Sequence, residues 1–396
     1  ADGTAPNNWL SVFGGPAWAY QPVRRQHYHH KFLRQQPKLN WRNEAACKAT
    51  LDVLNLWSGR GVDGFRLDVA NAYLHDAALT DNPAVSPRDA SAWSHASDMQ
   101  HHLHDSNLTE NAEALDEIRR VVERYANCFV MGEFSEEPER SGCFLAPDKG
   151  LHSGYSFPLL EARELGPEFI RAHYEMLARY PAHWPSIAFS NHDVMRTLTR
   201  FGGKDVPQSL AKLMLALLFS LKGTALLYQG EELGLPQAKL RRDQLRDPVG
   251  DLYWPYTGGR DGCRTPMPWD ADAPQFGFTS GEPWLPLSPT HRALAVSEQK
   301  KDADSTLSFA REFLQFRKSI PAMRYGEIEF IDTSAPLLVF TRVHENERIR
   351  CLFNMGANEC ASDLPVGQML AMKSGEVREE GGRLILGPYA LRFFRS

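Results

Sequence analysis

Apolar and polar positions along the chain switch repeatedly between two periods. Cys47, Leu51, Leu54 and Trp57 recur at helical spacing, with Asn43 ahead of them as an N-cap and Gly59 and Gly61 behind them as a stop. In Val62-Asp63-Gly64-Phe65-Arg66-Leu67-Asp68-Val69 the period drops to two. Phe65, Leu67 and Val69 alternate with Arg66 and Asp68, which predicts a strand with one apolar face and a cation–anion pair on the other. The unit recurs. A helix over 110–126 precedes a strand over 128–133, and a short strand over 152–157 precedes a helix opened by Pro167. A strand over 186–190, a helix over 207–221 and a strand over 224–228 complete the series. This alternation predicts five parallel β/α units. From 236 to 290 Pro, Gly, Trp and Asp break the pattern, so an insertion is expected there. A helix over 304–318 stops before Pro321, and short antiparallel strands over 328–331, 337–343, 349–353, 384–386 and 391–394 predict a small β domain. Residues 1–43 are rich in Asn, Gly, Pro, His and aromatics and read as loop.

Composition narrows the class. The 396 residues are 42% hydrophobic and 23% charged, near the values for globular proteins, and nine Trp and 21 Phe suffice for a sizeable core. The longest apolar run, 213–219, falls far short of the roughly 20 residues of a membrane helix. Net charge is −5, with 44 Lys and Arg against 49 Asp and Glu, so Lys239, Arg241 and Arg242 read as solvated surface. Neither nucleic acid nor membrane is an expected partner. Six Cys without a C-x-x-C pair predict reduced thiols and a cytoplasmic location.

Three acids stand at or beyond the C-terminal ends of predicted strands: Asp68, Glu133 in Val130-Met131-Gly132-Glu133, and Asp193 in Phe189-Ser190-Asn191-His192-Asp193. Barrel enzymes place catalytic groups there. One strand-end acid is usually a loop cap, and an ion pair would explain Arg66 and Asp68 alone; neither explains three acids in equivalent positions. Two carboxylates around one bond are the equipment of glycoside hydrolysis. Arg66 supplies the charge that favours an ionised Asp68. The apolar run before Glu133 favours a protonated acid. Aromatic residues including Trp9, Trp18, Tyr155 and Phe157 suit stacking on sugars, although most such rings are core. His27, His29 and His30, and His101, His102 and His104, form two groups without a clear metal-ligand set, and read as loop or pocket-rim histidines. Nothing visible in the sequence activates Cys263.

Segments 61–71, 130–134 and 189–193 resemble the second, third and fourth signature regions of the α-amylase superfamily, glycoside hydrolase family 13. Three further stretches resemble its α-glucosidase and oligo-1,6-glucosidase branch: Pro6-Asn7-Asn8-Trp9-Leu10-Ser11-Val12-Phe13-Gly14-Gly15, Tyr228-Gln229-Gly230-Glu231-Glu232, and the motif from Gly259-Arg260-Asp261-Gly262-Cys263-Arg264 to Pro268-Trp269.

The resemblance implies a (β/α)8-type TIM barrel, strands four to eight present here, plus a C-terminal antiparallel β domain. It divides the chain into 1–43 (end of a loop-rich inserted domain), 44–320 (barrel) and 321–396 (β domain). It implies an exo-acting retaining α-glucosidase acting on a small oligosaccharide or disaccharide through a covalent β-glucosyl-enzyme. Asp68 is then the nucleophile and Glu133 the acid and base. Asp193 holds the 2- and 3-hydroxyls, Arg66 positions Asp68, and His192 bonds the same glucose. Arg260 closes the pocket and Phe157 lines it. Asp68 and Glu133 are expected about 5–5.5 Å apart. Val69 resembles the residue of α-1,6-cleaving members, though ordinary strand packing would account for it equally. A glucosyl-transferring or sucrose-isomerising enzyme is the nearest alternative, and a non-catalytic carbohydrate-binding relative is the other. With strands one to three and the first signature region missing, the resemblance further implies a fragment lacking about 130–150 residues and inactive alone. No cofactor is expected; the family's structural Ca or Mg site would lie in the missing part.

Overall fold

A computed structural model describes residues 4–86, 96–134, 144, 145, 150–181, 183–203 and 207–396. The chain forms two units, and each is described by itself: 1–157 with 180–184, and 158–179 with 185–396.

The first unit opens with an antiparallel hairpin, β1 (Trp18–Gln21) and β2 (Gln26–His29), where loop was expected. Ring packing rather than periodicity builds it: buried Trp9 stacks on Trp18 at 5.9 Å between centroids and meets His29 edge-on at 5.4 Å. Helix α1 (Glu44–Gly59) begins as the sequence predicts, the Asn43 side chain accepting the Ala46 N–H. Strands β3 (Gly64–Leu67), β4 (Phe129–Phe134) and β5 (Ser153–Ser156) form a parallel sheet in that order, with α2 (Asn111–Val122) between the first two. Leu54, Leu67, Leu115, Ile118, Val122, Val130 and Phe134 make the core beneath it. Gly132 is required there: a Cβ would lie 2.7 Å from Leu151 Cδ1 and 2.8 Å from Phe134 Cζ.

Strand β3 ends at Leu67, two residues before its alternation does. Val69, expected in the strand, lies at φ +42° and ψ +51° at the head of a 3-10 turn, Ala70–Ala72. Left-handed backbone is disfavoured for a β-branched residue. Two asparagines near the start of α2 hold the turn: Asn111 Nδ2 donates to Ala70 O at 2.7 Å, and Asn107 Oδ1 accepts from Asn71 Nδ2 at 2.9 Å.

The second unit carries α3 (Pro167–Leu177), β6 (Ser186–Ile187), α4 (Gln208–Ser220) and β7 (Thr224–Ala225), the two strands parallel. Both strands are shorter than their apolar runs; beyond β6, Ala188 and Phe189 are buried without extending the ladder. The insertion contains one short α-helix, α5 (Pro248–Leu252), capped by Asp247, together with 3-10 turns. Helix α6 (Thr306–Ser319) is capped by Ser305 and ends before Pro321.

Eight antiparallel strands complete the chain: β8 (Glu327–Ile331), β9 (Leu337–His344), β10 (Glu347–Asn354), β11 (Cys360–Asp363), β12 (Gln368–Ser374), β13 (Val377–Glu380), β14 (Arg383–Leu386) and β15 (Leu391–Arg395). They form a five-stranded sheet, β12-β15-β10-β9-β8, and a three-stranded one, β11-β14-β13. Strands β11 to β13 have no clear signal in the sequence because they lack a clean apolar face; β13 is Val-Arg-Glu-Glu and mostly exposed. Fully buried Arg342 on β9 ties this domain to α4, donating to Ser220 O at 2.6 Å and Leu221 O at 3.0 Å. Those carbonyls have no partner within the helix. Among the described residues, no helix is long and apolar enough to cross a membrane.

Candidate active site

Parallel register assembles the first cluster. Arg66 pairs with Met131, and Glu133 pairs with Tyr155. Paired residues of a parallel sheet share a face, and so do residues two apart on a strand. Arg66, Glu133 and Tyr155 therefore rise on one side, and Asp68 leaves the end of β3 beside them. Arg66 Nη1 contacts Asp68 Oδ1 at 2.5 Å, and Nη2 contacts Glu133 Oε1 at 2.6 Å. Tyr155 Oη donates to Glu133 Oε1 at 2.9 Å and accepts from Arg66 Nη2 at 2.8 Å. The strained turn contributes as well, for the Val69 N–H donates to Glu133 Oε2 at 3.3 Å.

The two carboxylates share a cation and differ in environment. The Asp68 side chain is 70% exposed and that of Glu133 only 4%. Burial pushes the Glu133 carboxyl above its ordinary value, against the opposing pull of Arg66 and Tyr155; the Asp68 charge adds to the rise. Burial also lifts the Tyr155 phenol, with Glu133 reinforcing it, so Tyr155 stays a donor at neutral pH. Burial opposes the Arg66 charge, but the Tyr155 hydrogen bond and the Glu133 charge outweigh it. Phe157, one residue beyond β5, is half-buried.

The second unit holds the other cluster. Asn191 Oδ1 accepts the N–H groups of Asp193 and Val194 at 2.8 and 3.1 Å, shaping the loop after β6. Asp193 Oδ1 receives Arg260 Nη1 at 3.0 Å and Arg264 Nη2 at 2.6 Å. Its other oxygen lies 3.3 Å from His192 Nε2. Arg264 also donates through Nε to His192 O at 2.6 Å. The structure thus joins Arg66, Asp68 and Glu133 in one cluster, and His192, Asp193 and Arg260 in another.

Sequence reasoning misses three of the residues that hold these clusters. Tyr155 reads there only as a stacking ring, although its alternation with Ser153 places it on the Glu133 face. Arg264 sits four residues after Arg260 in the same motif. Asp247, whose carboxylate accepts from Arg260 Nε at 2.9 Å, carries the cap signature Asp-Pro. The histidine groups have other work. His102 Nδ1 bonds Asp105 at 3.0 Å, and burial, with Lys38 next, pushes His29 down to about 3. Among the described residues, no group of three or more His, Cys, Asp or Glu could hold a metal ion. Cys263 is buried and its thiol pushed up by burial, which disfavours the thiolate; Cys143 lies outside the described residues.

Comparison with known proteins adds an independent line. The family described as alpha amylase, catalytic domain, matches residues 1–326. The probable alpha-glucosidase of Rhizobium meliloti (strain 1021) is 43% identical over 380 residues, covering 93% of this chain and 68% of that protein. The oligo-1,6-glucosidase of Bacillus cereus is 27% identical over 398 residues, covering 92% and 70%. The crystal structure of an alpha-glucosyl transfer enzyme, XgtA, matches with a TM-score of 0.93 and 42% identity, covering 100% of this chain and 75% of the other. The trehalulose synthase MutB from Pseudomonas mesoacidophila MX-45 shares the fold at a TM-score of 0.85 and 24% identity, covering 100% and 76%.

Proposed function

This chain belongs to the α-amylase family, with its TIM-barrel and C-terminal antiparallel β-domain fold, and on that premise we propose that it is an exo-acting, retaining α-glucosidase releasing glucose from the non-reducing ends of short α-glucosides. The observation that carries this reading is one guanidinium joining an exposed carboxylate to a buried carboxyl. Asp68, open to the site, attacks the anomeric carbon. Glu133, whose hold on its proton burial strengthens, gives that proton to the leaving oxygen. Glu133 Oε1 takes two donors and Oε2 only the longer Val69 N–H contact at 3.3 Å, so we assign the proton to Oε2. The products are a β-glucosyl ester on Asp68 and the freed aglycone. Water then attacks the anomeric carbon as Glu133 takes its proton, and the bond from that carbon to Asp68 breaks, freeing α-glucose and the Asp68 carboxylate. Asp193 and His192 hold the glucose hydroxyls, Arg260 closes the pocket and Phe157 lines it.

A 5-fluoro-α-glucosyl fluoride forms the ester but slows its hydrolysis. Given to the protein expressed from its natural gene, it should label the Asp68 peptide in mass spectrometry. An unlabelled Asp68, or release of β-glucose from an α-glucoside, would refute the reading.

A second reading is favoured by the 42% identity to an α-glucosyl transfer enzyme. Transfer uses the same ester and differs only in the acceptor. At high maltose, accumulating trisaccharide would mark transfer, and equivalent glucose release would mark hydrolysis. We further propose that Val69 favours α-1,6 linkages; a strong preference for maltose over isomaltose in initial rates would reject that.

A further inference from the structure

The two arginines on Asp193 are held differently. Arg264 is braced by the carbonyl of His192 in the Asp193 loop itself. Arg260 is gripped from behind by a carboxylate that none of the proposed steps uses. Arg260 Nε donates to Asp247 Oδ2 at 2.9 Å and Nη2 to Asp247 Oδ1 at 2.9 Å, a two-pronged fork. The Arg260 backbone N–H donates to Asp247 Oδ2 at 2.8 Å. The Asp247 side chain is fully buried and also caps α5 through the Val249 N–H at 3.2 Å.

The grip is reciprocated. Asp261 Oδ2 accepts the backbone N–H groups of Arg246 at 2.5 Å and Asp247 at 2.7 Å. Each stretch therefore holds the other's backbone with a carboxylate. The two approach so closely that only glycine fits at 259, where φ is +65° and a Cβ would lie 2.6 Å from Gly250 N and 2.8 Å from Asp247 Oδ2. With its fork occupied, Arg260 has Nη1 left to meet Asp193 Oδ1 at 3.0 Å.

We propose that Asp247 is a positioning residue for sugar recognition, fixing Arg260 so that its remaining nitrogen holds Asp193 in its sugar-binding orientation. The inference rests on the reading of Asp193 as the residue that holds glucose hydroxyls. A free arginine side chain has many rotamers to lose on each binding event; the Asp247 fork removes them in advance. Asp247 touches neither substrate nor reacting atoms, so its loss should weaken recognition more than chemistry.

The test uses the protein expressed from its natural gene. Asp247→Asn should raise KM for p-nitrophenyl α-glucoside about tenfold and leave kcat within about threefold. Asp247→Glu, which keeps the charge should Asn impair folding, should raise KM about threefold. Arg260→Lys should raise KM comparably, and the double variant D247N/R260K should be no worse than R260K alone. Independently of activity, the Arg260 Nε–H resonance should be sharp in the parent and in Asp193→Asn, and lost or shifted in Asp247→Asn. An unchanged KM in both Asp247 variants, multiplying effects in the double variant, or an undisturbed resonance would overturn the proposal. A protein without α-glucosidase activity would refute the proposed function instead, while the resonance would still test whether Asp247 fixes Arg260.

Discussion

Around Arg66 one guanidinium serves two carboxylates, whereas around Asp193 one carboxylate oxygen serves two guanidiniums. The first cluster is short of positive charge. One cation cannot fully compensate two acids, so the buried one keeps a raised affinity for its proton. The second cluster is balanced: Arg260 and Arg264 face Asp193 and Asp247. There the Asp247 carboxyl, which burial alone would raise, is held below its ordinary value by the Arg260 fork and backbone N–H groups. The contrast fits the two tasks proposed above. A cluster that moves a proton leaves one acid unsatisfied; a cluster that holds a ligand satisfies every charge and fixes its geometry.

The largest expected effect comes from breaking the first cluster at its exposed end. Asp68→Asn removes the proposed attacking oxygen and leaves Arg66 with Glu133 alone. We expect kcat to fall by about 10⁴-fold in steady-state assays, with melting temperature nearly unchanged because the side chain is exposed. A loss under tenfold would mean that the two clusters do not divide the work as proposed.

Removing the phenolic hydroxyl sharpens the proton argument. In Tyr155→Phe, Glu133 loses a donor whose hydrogen bond lowers its pKa, so that pKa should rise further. As the proposed acid, Glu133 would act only while protonated, so activity should fall as pH rises through its pKa. The alkaline limb of the kcat/KM profile should therefore move to higher pH, with kcat about tenfold lower for the lost positioning. A shift to lower pH would show that Tyr155 acts on Glu133 mainly through Arg66.

Much of this was legible in the sequence, for different reasons in different places. The acids, Arg66 and Arg260 stood out because strand-end position and motif spacing are local properties. The cap at Asn43 and the first-turn proline at Pro167 were equally local. The hairpin at β1 and β2 was not, because ring packing among Trp9, Trp18 and His29 has no sequence period. Tyr155 as a donor depends on the register between β4 and β5, which pairs Glu133 with Tyr155 across residues 22 apart in the chain. Asp247 depends on a loop that returns 13 residues later. The instructive failure is Val69, where perfect alternation ran past the end of the real strand. There the tertiary environment overrode the local preference, at the position that adjoins the proposed nucleophile.

That position also gives the smallest and most discriminating effect. Among the described residues, the first cluster contains a non-glycine residue at positive φ, Val69, and the second has none at 190–194 or 246–264. Holding a β-branched residue in the left-handed region costs about 1–3 kcal/mol. Glycine would relieve that cost. Against it stand a loss of about 0.5–1 kcal/mol from glycine's greater unfolded freedom and about 1 kcal/mol from a half-buried valine side chain. Val69→Gly should therefore stabilise the protein slightly, by about 0.5 kcal/mol in urea unfolding midpoints. It should also lower kcat a few-fold, because a freer backbone no longer aims the Val69 N–H at Glu133 Oε2. A relaxed glycine in the second cluster's place, at position 192, should bring no such gain, since His192 carries no positive φ to relieve. If Val69→Gly instead destabilises by more than about 1 kcal/mol, valine packing rather than backbone strain governs the turn, and the first cluster is no more strained than the second.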